Sequence, residues 1–425
     1  MRRLTKMWLL ALFVAVPARA QTIAITGGRV YPVSGPAIER GTVVIRDGRI
    51  AAVGANVEIP ADAQRVDATG KIVTPGLVNA ATQLAVVEIG AVTSTRNTSA
   101  RGKDGIAAAF TVWDGLNPNS VLLPPARMSG VTSVLIEPRG GLLSGQAAML
   151  HLVPGTAVEM VMRAPVAMVG QIGSPQQIGA QSRGELMLRL REVLDDARAY
   201  ARRKTDFERA QTRPFSAGRL DLEALLPVLD GRLPLVLEAD RSSDIEEALK
   251  LARDYNLKLI IAGGAEAWEV ADKLAAARVP VMTGAMNNIP ESFSSLGTRQ
   301  ENAGLLRRAG VTVMIIGNAG GGDEEAFNVR NVRFEAGNAV AYGMTREDAL
   351  RAITLTPAEV FGVADRVGSL QAGKDADVVV WSGDPFEFAT EPEHVFIRGR
   401  EIRETTRQDL LEQRYKTLPP NYRKP

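Results

Sequence analysis

Glu238 and Asp240 stand two residues apart at the end of an apolar run, 233–237. If that run is a strand, both carboxylates face the same side of it. Two carboxylates in one cleft can split their pKa values and serve as general acid and general base. They can equally hold a hard, oxygen-seeking cation such as Ca2+ or Mg2+. The third reading is structural: they pair with Arg139 or Arg241 and fill a pocket. A second candidate is the glycine-rich stretch 140–146, with Ser144 and Gln146 as its polar side chains. Backbone N–H groups in such a loop can cradle a carboxylate. It lacks the Lys-Ser/Thr ending of a phosphate loop, and Ser144 lacks the Gly-x-Ser-x-Gly setting of a nucleophile. A plain connecting loop is the competing reading. The glycine-rich stretch 317–322, which holds Asn318, is either a lid hinge or a loop of tight turns.

Other chemistries are excluded by counting. The chain of 425 residues has no cysteine, so thiolate metal sites, disulfides and cysteine nucleophiles are out. It has two histidines, His151 and His394. A zinc-type hydrolytic centre takes nitrogen or sulfur donors in preference to oxygen alone. His151 lies in a strand-like apolar run, 147–153, and reads as a core or edge histidine with a hydrogen-bond partner.

These groups need elements to carry them. Residues 22–73 are strand-rich, with a hairpin turning at Asp47-Gly48 between the runs 42–45 and 50–54. From about residue 76, short apolar runs alternate with amphipathic ones. The runs 131–136, 233–237, 258–261, 279–282 and 311–316 read as strands. The stretch 243–255 reads as a helix, with Ser243 and Glu246 spaced as a capping box. A second capped helix starts at Thr356-Pro357, and 183–213 is a long charged helical stretch on the outside. Alternation of this kind implies βα units around a parallel sheet, and its length suits a (β/α)8 barrel with functional groups after the strands. Strand character returns at 376–381 and 394–402. The expected organisation is a leader at 1–20, a composite β-sandwich from 21–74 and 366–405, a TIM-like α/β barrel over 75–365, and a tail at 406–425.

Four local phrases carry a resemblance. They are 41–50 (GTVVIRDGRI), 74–80 (TPGLVNA), 352–358 (AITLTPA) and 368–380 (GSLQAGKDADVVV). With this arrangement of elements, the chain resembles the amidohydrolase superfamily, in particular exported members similar to imidazolonepropionase and prolidase. The resemblance runs from about residue 22 to 405. It implies a β/α barrel flanked by a β-sandwich, with metal-assisted hydrolysis of amide or cyclic amide C–N bonds. It also locates substitutions. The segment Asn79-Ala80-Ala81-Thr82-Gln83 puts Ala81 and Gln83 where the superfamily carries His-x-His. Glu238 and Asp240 stand for a histidine pair, and Asn318 for the metal-binding aspartate.

The reading is therefore an amidohydrolase-like protein without zinc-type cofactor, non-catalytic or a binding subunit. Its alternative is a hydrolase using Glu238 and Asp240, with or without Ca2+ or Mg2+. Asn79, Gln83, Arg139, Ser144, Gln146, Arg241 and Asn318 are the candidate ligand contacts. A small amide-type ligand, self-association and pairing with an intact amidohydrolase are the expected partnerships. Residues 1–20 read as an export signal: a basic start, ten apolar residues, and Ala18-Arg19-Ala20 as the cleavage site. The expected location is the periplasm. Cleavage would remove Arg2, Arg3, Lys6 and Arg19 and no acid, so 50 Lys+Arg against 48 Asp+Glu becomes a balance of −2. A chain this near neutrality has no electrostatic pull toward nucleic acid. No later stretch is long and apolar enough to span a bilayer.

Overall fold

A computed structural model describes residues 22–286, 290, 292–317 and 324–416. The leader, the tail beyond 416 and Asn318 lie outside the described residues. The chain opens with β1 (Thr22–Val30), β2 (Ile38–Arg46), β3 (Arg49–Gly54), β4 (Gln64–Asp67) and β5 (Ile72–Pro75). It continues through β6 (Leu77–Thr82), β7 (Val131–Ile136), β8 (Leu143–His151), β9 (Val161–Gln171), β10 (Leu235–Ala239), β11 (Leu259–Gly263), β12 (Val281–Thr283) and β13 (Val313–Ile315). It closes with β14 (Val378–Trp381), β15 (Pro392–Ile397) and β16 (Arg400–Glu401).

Two eight-stranded sheets result. The flanking sheet joins β1–β5 to β14–β16, so both ends of the chain build it, and hydrogen bonding unites all its strands in one sheet. The turn between β2 and β3 falls at Asp47-Gly48 as expected. Both residues have positive φ (53° and 76°), which matches the twist of a tight hairpin. The second sheet runs β6 to β13 in sequence order and forms the TIM-like barrel. Its strands are parallel except β8, which is antiparallel to both β7 and β9. The expected parallel barrel is thus a mixed one. The connection between β7 and β8, residues 137–142, is too short for a crossover helix, so the chain can only turn back.

Alternation along the strands sets the faces. Leu135, Ala147, Met149, Val169, Val236, Ile260, Met282 and Met314 fill the barrel interior. Leu235, Leu237, Leu259, Ile261, Val281 and Val313 belong to the larger layer packed under the surrounding helices. Gly76 joins the two sheets. A Cβ there would overlap the side chain of Thr132, which gives the glycine in the Thr-Pro-Gly-Leu phrase a packing reason.

Several local expectations are corrected. The helix after β10 spans Ser242–Tyr255 with Arg241 at its N-cap and no side-chain cap, so the Ser243–Glu246 box does not form. The helix near residue 356 spans Leu355–Val360, with Thr354 as its cap residue. The charged stretch 183–213 breaks into helices Arg183–Arg202 and Lys204–Glu208. Residues 143–146 are not loop but the first residues of β8.

Candidate functional site

Parity places the charged groups. On β10, Val236 points into the barrel, so Glu238 does too, one step nearer the carboxyl end of the strand. On β7, Leu135 points inward, and the same alternation carries Glu137 and Arg139 inward just past the strand. The carboxyl ends of barrel strands are where sites of this architecture form.

Arg139 is the centre of the arrangement. Its Nη2 donates to Glu137 Oε1 at 3.1 Å, and its Nη1 lies 3.6 Å from Glu238 Oε2. Glu137 is buried, and its Oε2 has no hydrogen-bond partner among the described residues. Burial pushes its carboxyl up to about 7. The guanidinium of Arg139 works against the shift and the charge of Glu238 adds to it. Glu238 itself is about half exposed. Around the trio, Ser144, Gln171, Val236 and Ala262 line a cavity of about 20 Å3, room for about one water molecule.

The carboxylate pair expected from sequence is therefore re-partnered. Asp240 does not share the cavity with Glu238. Its Oδ1 accepts from the backbone N–H of Ala265 at 3.2 Å, which ties the end of β10 to the loop after β11. Burial raises its carboxyl to about 6, an effect that the Ala265 hydrogen bond opposes and the charges of Glu238, Glu266 and Asp244 reinforce. Gly263 makes room for it, since a Cβ there would sit 2.6 Å from Asp240 Oδ1. Glu137, which sequence reading did not single out, takes the place of Asp240 at the site. Its signal was the period-two step from Leu135.

The other candidates divide. Arg139 and Ser144 line the cavity. Ser144 Oγ is occupied locally, accepting from Gly141 N at 3.2 Å and donating to Gly141 O at 3.1 Å. Gln146 Nε2 donates to Ala108 O at 3.2 Å. Asn79 is wholly buried and its amide is used by backbone: Nδ2 donates to Val329 O at 3.2 Å and Oδ1 accepts from Ala81 N at 3.1 Å. It is a clasp within the fold rather than an open ligand contact. Gln83 is buried just past β6, and Ala81 packs in the barrel interior. Arg241 is half-buried at the N-cap and makes no side-chain hydrogen bond or ion pair among the described residues.

Neither histidine is at this end of the barrel. Because β8 runs backwards, His151 at its end lies opposite Ser133 near the start of β7. There its Nε2 bonds to Asp377 at 2.7 Å, and Nδ1 lies 3.8 Å from Asp375 Oδ2. The core histidine with a partner is what the sequence suggested. His394 belongs to the flanking sheet and bonds Glu401 at 2.7 Å.

The carboxy-terminal part of the chain, residues 247–402, matches the amidohydrolase family model. An amidohydrolase from Thermotoga maritima superposes with a TM-score of 0.81 at 27% identity, covering 90% of this chain and all of that one. These findings show a chain similar in sequence to amidohydrolases and alike in fold to one of them. Imidazolonepropionase of Mesorhizobium japonicum is 24% identical over 81% of this chain and 87% of its own length. The amidohydrolase tasK of Hapsidospora irregularis is 24% identical over 85% of this chain, which spans only 39% of that longer protein.

Amidohydrolases are usually metal-dependent, so the donor set at the mouth must be tested against a metal. Among the described residues no three His, Cys, Asp or Glu side chains converge on one point. The two carboxylates that do approach each other are bridged by a guanidinium, which supplies the positive charge in place of an ion. The described residues at the mouth do not form a zinc-type donor set. Nor do Glu238 and Asp240 jointly frame a hard-cation site, since one leans to Arg139 and the other to Ala265. No helix among the described residues is long and apolar enough to cross a membrane.

Proposed function

We propose that this amidohydrolase-superfamily protein binds a small amide-type ligand at the barrel mouth without metal-assisted hydrolysis. The observation that carries the reading is the bridge Glu137–Arg139–Glu238, a fixed internal cation between two carboxylates at the place where barrel chemistry is done. Arg139 offers a planar fork of donors to a carbonyl or carboxylate oxygen of the ligand. The cavity as it stands admits about one water, so a ligand enters by displacing the Arg139 side chain from Glu238, the longer and more exposed of its two contacts. The leader-like residues 1–20 favour a periplasmic setting, and a catalytic amidohydrolase subunit is the partner such a binding protein would serve.

The test is elemental analysis of the purified chain alongside an amide, lactam and dipeptide panel. The expected result is no stoichiometric Zn, Mn or Ni and no turnover restored by added metal. Chelator-sensitive turnover refutes the proposal.

One observation favours a second reading, C–N bond hydrolysis by carboxylates alone. Glu137 and Asp240 both titrate upward, to about 7 and about 6, near the pH where a carboxyl can exchange protons with a substrate. Under that reading the half-exposed Glu238 activates water and Glu137 protonates the leaving nitrogen. Glu238→Gln and Glu137→Gln then each abolish turnover without unfolding the chain, and retained turnover in both variants discards it.

A further inference from the structure

The opposite end of the barrel holds a larger cavity, of about 430 Å3. That lies within the size range of small-molecule sites and far exceeds the cavity beside Arg139. Its position follows from topology. Arg232, Lys258 and Arg278 each lie just before a parallel strand, β10, β11 and β12, and Arg163 lies early in β9. All four side chains therefore reach the amino-terminal face, away from Glu137 and Glu238. No carboxylate lines the cavity. Its floor is apolar, formed by Leu259, Val279 and Phe361, all buried.

The four cations are poorly neutralised. Arg232 pairs with Asp230 at 3.0 Å, but both groups are well exposed, so the pair is weak. Arg163 Nη1 donates to the Gly362 carbonyl, a neutral partner. Lys258 and Arg278 have no side-chain hydrogen bond or ion pair among the described residues. Four exposed like charges around one concavity repel each other and raise the local potential for an anion. Guanidinium forks match the several oxygens of a phosphate dianion better than a single carboxylate could. The apolar floor asks for a ring or alkyl body attached to that anion.

We propose that this cavity is a binding site for a free, small phosphomonoester with an aromatic or alkyl body. It is independent of the reading given for the mouth. The test is isothermal titration calorimetry on the full chain with phenyl phosphate, inorganic phosphate and benzyl alcohol as probes. Phenyl phosphate should saturate one site, at least about ten-fold more tightly than either half-probe, and weaken as salt rises. The Lys258→Glu, Arg278→Glu double variant should lose at least about ten-fold in affinity with an unchanged thermal melt. If charge reversal impairs folding, Lys258→Gln with Arg278→Gln provides the same comparison. Absence of saturable binding overturns the proposal, as does equal affinity in the charge variants. Phosphatidylglycerol vesicles are the control for a lipid headgroup, and binding seen only with vesicles also overturns it.

Discussion

Glu137 carries a pH dependence that can be worked out from its surroundings. Burial moves its carboxyl from an ordinary 4.5 to about 7, so the folded chain binds a proton there that the unfolded chain has already released. A raised carboxyl destabilises the fold as pH climbs. The penalty is absent below the unfolded value, grows between about pH 4.5 and 7, and is then complete. A shift of this size corresponds to about 3 kcal/mol in full, most of which develops between pH 5 and pH 8. Glu137→Gln keeps an oxygen for Arg139 and removes the titration. Urea unfolding of both proteins at pH 5 and pH 8 reads this group together with its effect on the adjoining charges of Arg139 and Glu238. The variant's stability relative to wild type should improve by about 2–3 kcal/mol across that interval. Stability curves that stay parallel from pH 5 to pH 8 would show that the carboxyl is not buried as described.

Other substitutions probe separate links. Glu238→Gln should change stability by less than about 1 kcal/mol, since its 3.6 Å contact with Arg139 is half exposed, while ligand binding at the mouth changes; chemical denaturation with ligand titration separates the two. His151→Phe should cost about 3 kcal/mol by thermal unfolding, because it leaves the buried Asp377 carboxylate without its imidazole; a loss under 1 kcal/mol would mean the imidazole is dispensable. Gly76→Ala should cost about 2–3 kcal/mol through overlap with Thr132, and Thr132→Ala in the same chain should recover part of it.

Much of the architecture was legible because strand alternation is a local property. Val236 and Glu238 announce an inward face by spacing alone, and Asp47-Gly48 announces its turn by conformational permissiveness. The site was half legible for the same reason. Glu238 and Arg139 were both named, but Asp240 was assigned a role that a backbone N–H of the next loop takes up. That N–H, from Ala265, is 25 residues away and leaves no trace in the pattern around Asp240. Glu137 was passed over because it follows the last apolar residue of its strand, and burial of a carboxylate depends on what closes over it. The reversal of β8 had a readable sign, a six-residue connection with no room for a helix. Reading 140–146 as a ligand loop concealed it.

That reversal bears on how the molecule assembles. The ribbon β7–β8–β9 zips through neighbours close in sequence, such as Ile136 with Ala148 and Leu150 with Val161. The parallel pairs that follow each wait for an intervening helix, so their loop closure is entropically dearer. Amides of this meander should gain protection from hydrogen exchange ahead of those in β10–β13 during refolding. The chain would then raise one wall of its barrel first and wrap the remaining strands onto it.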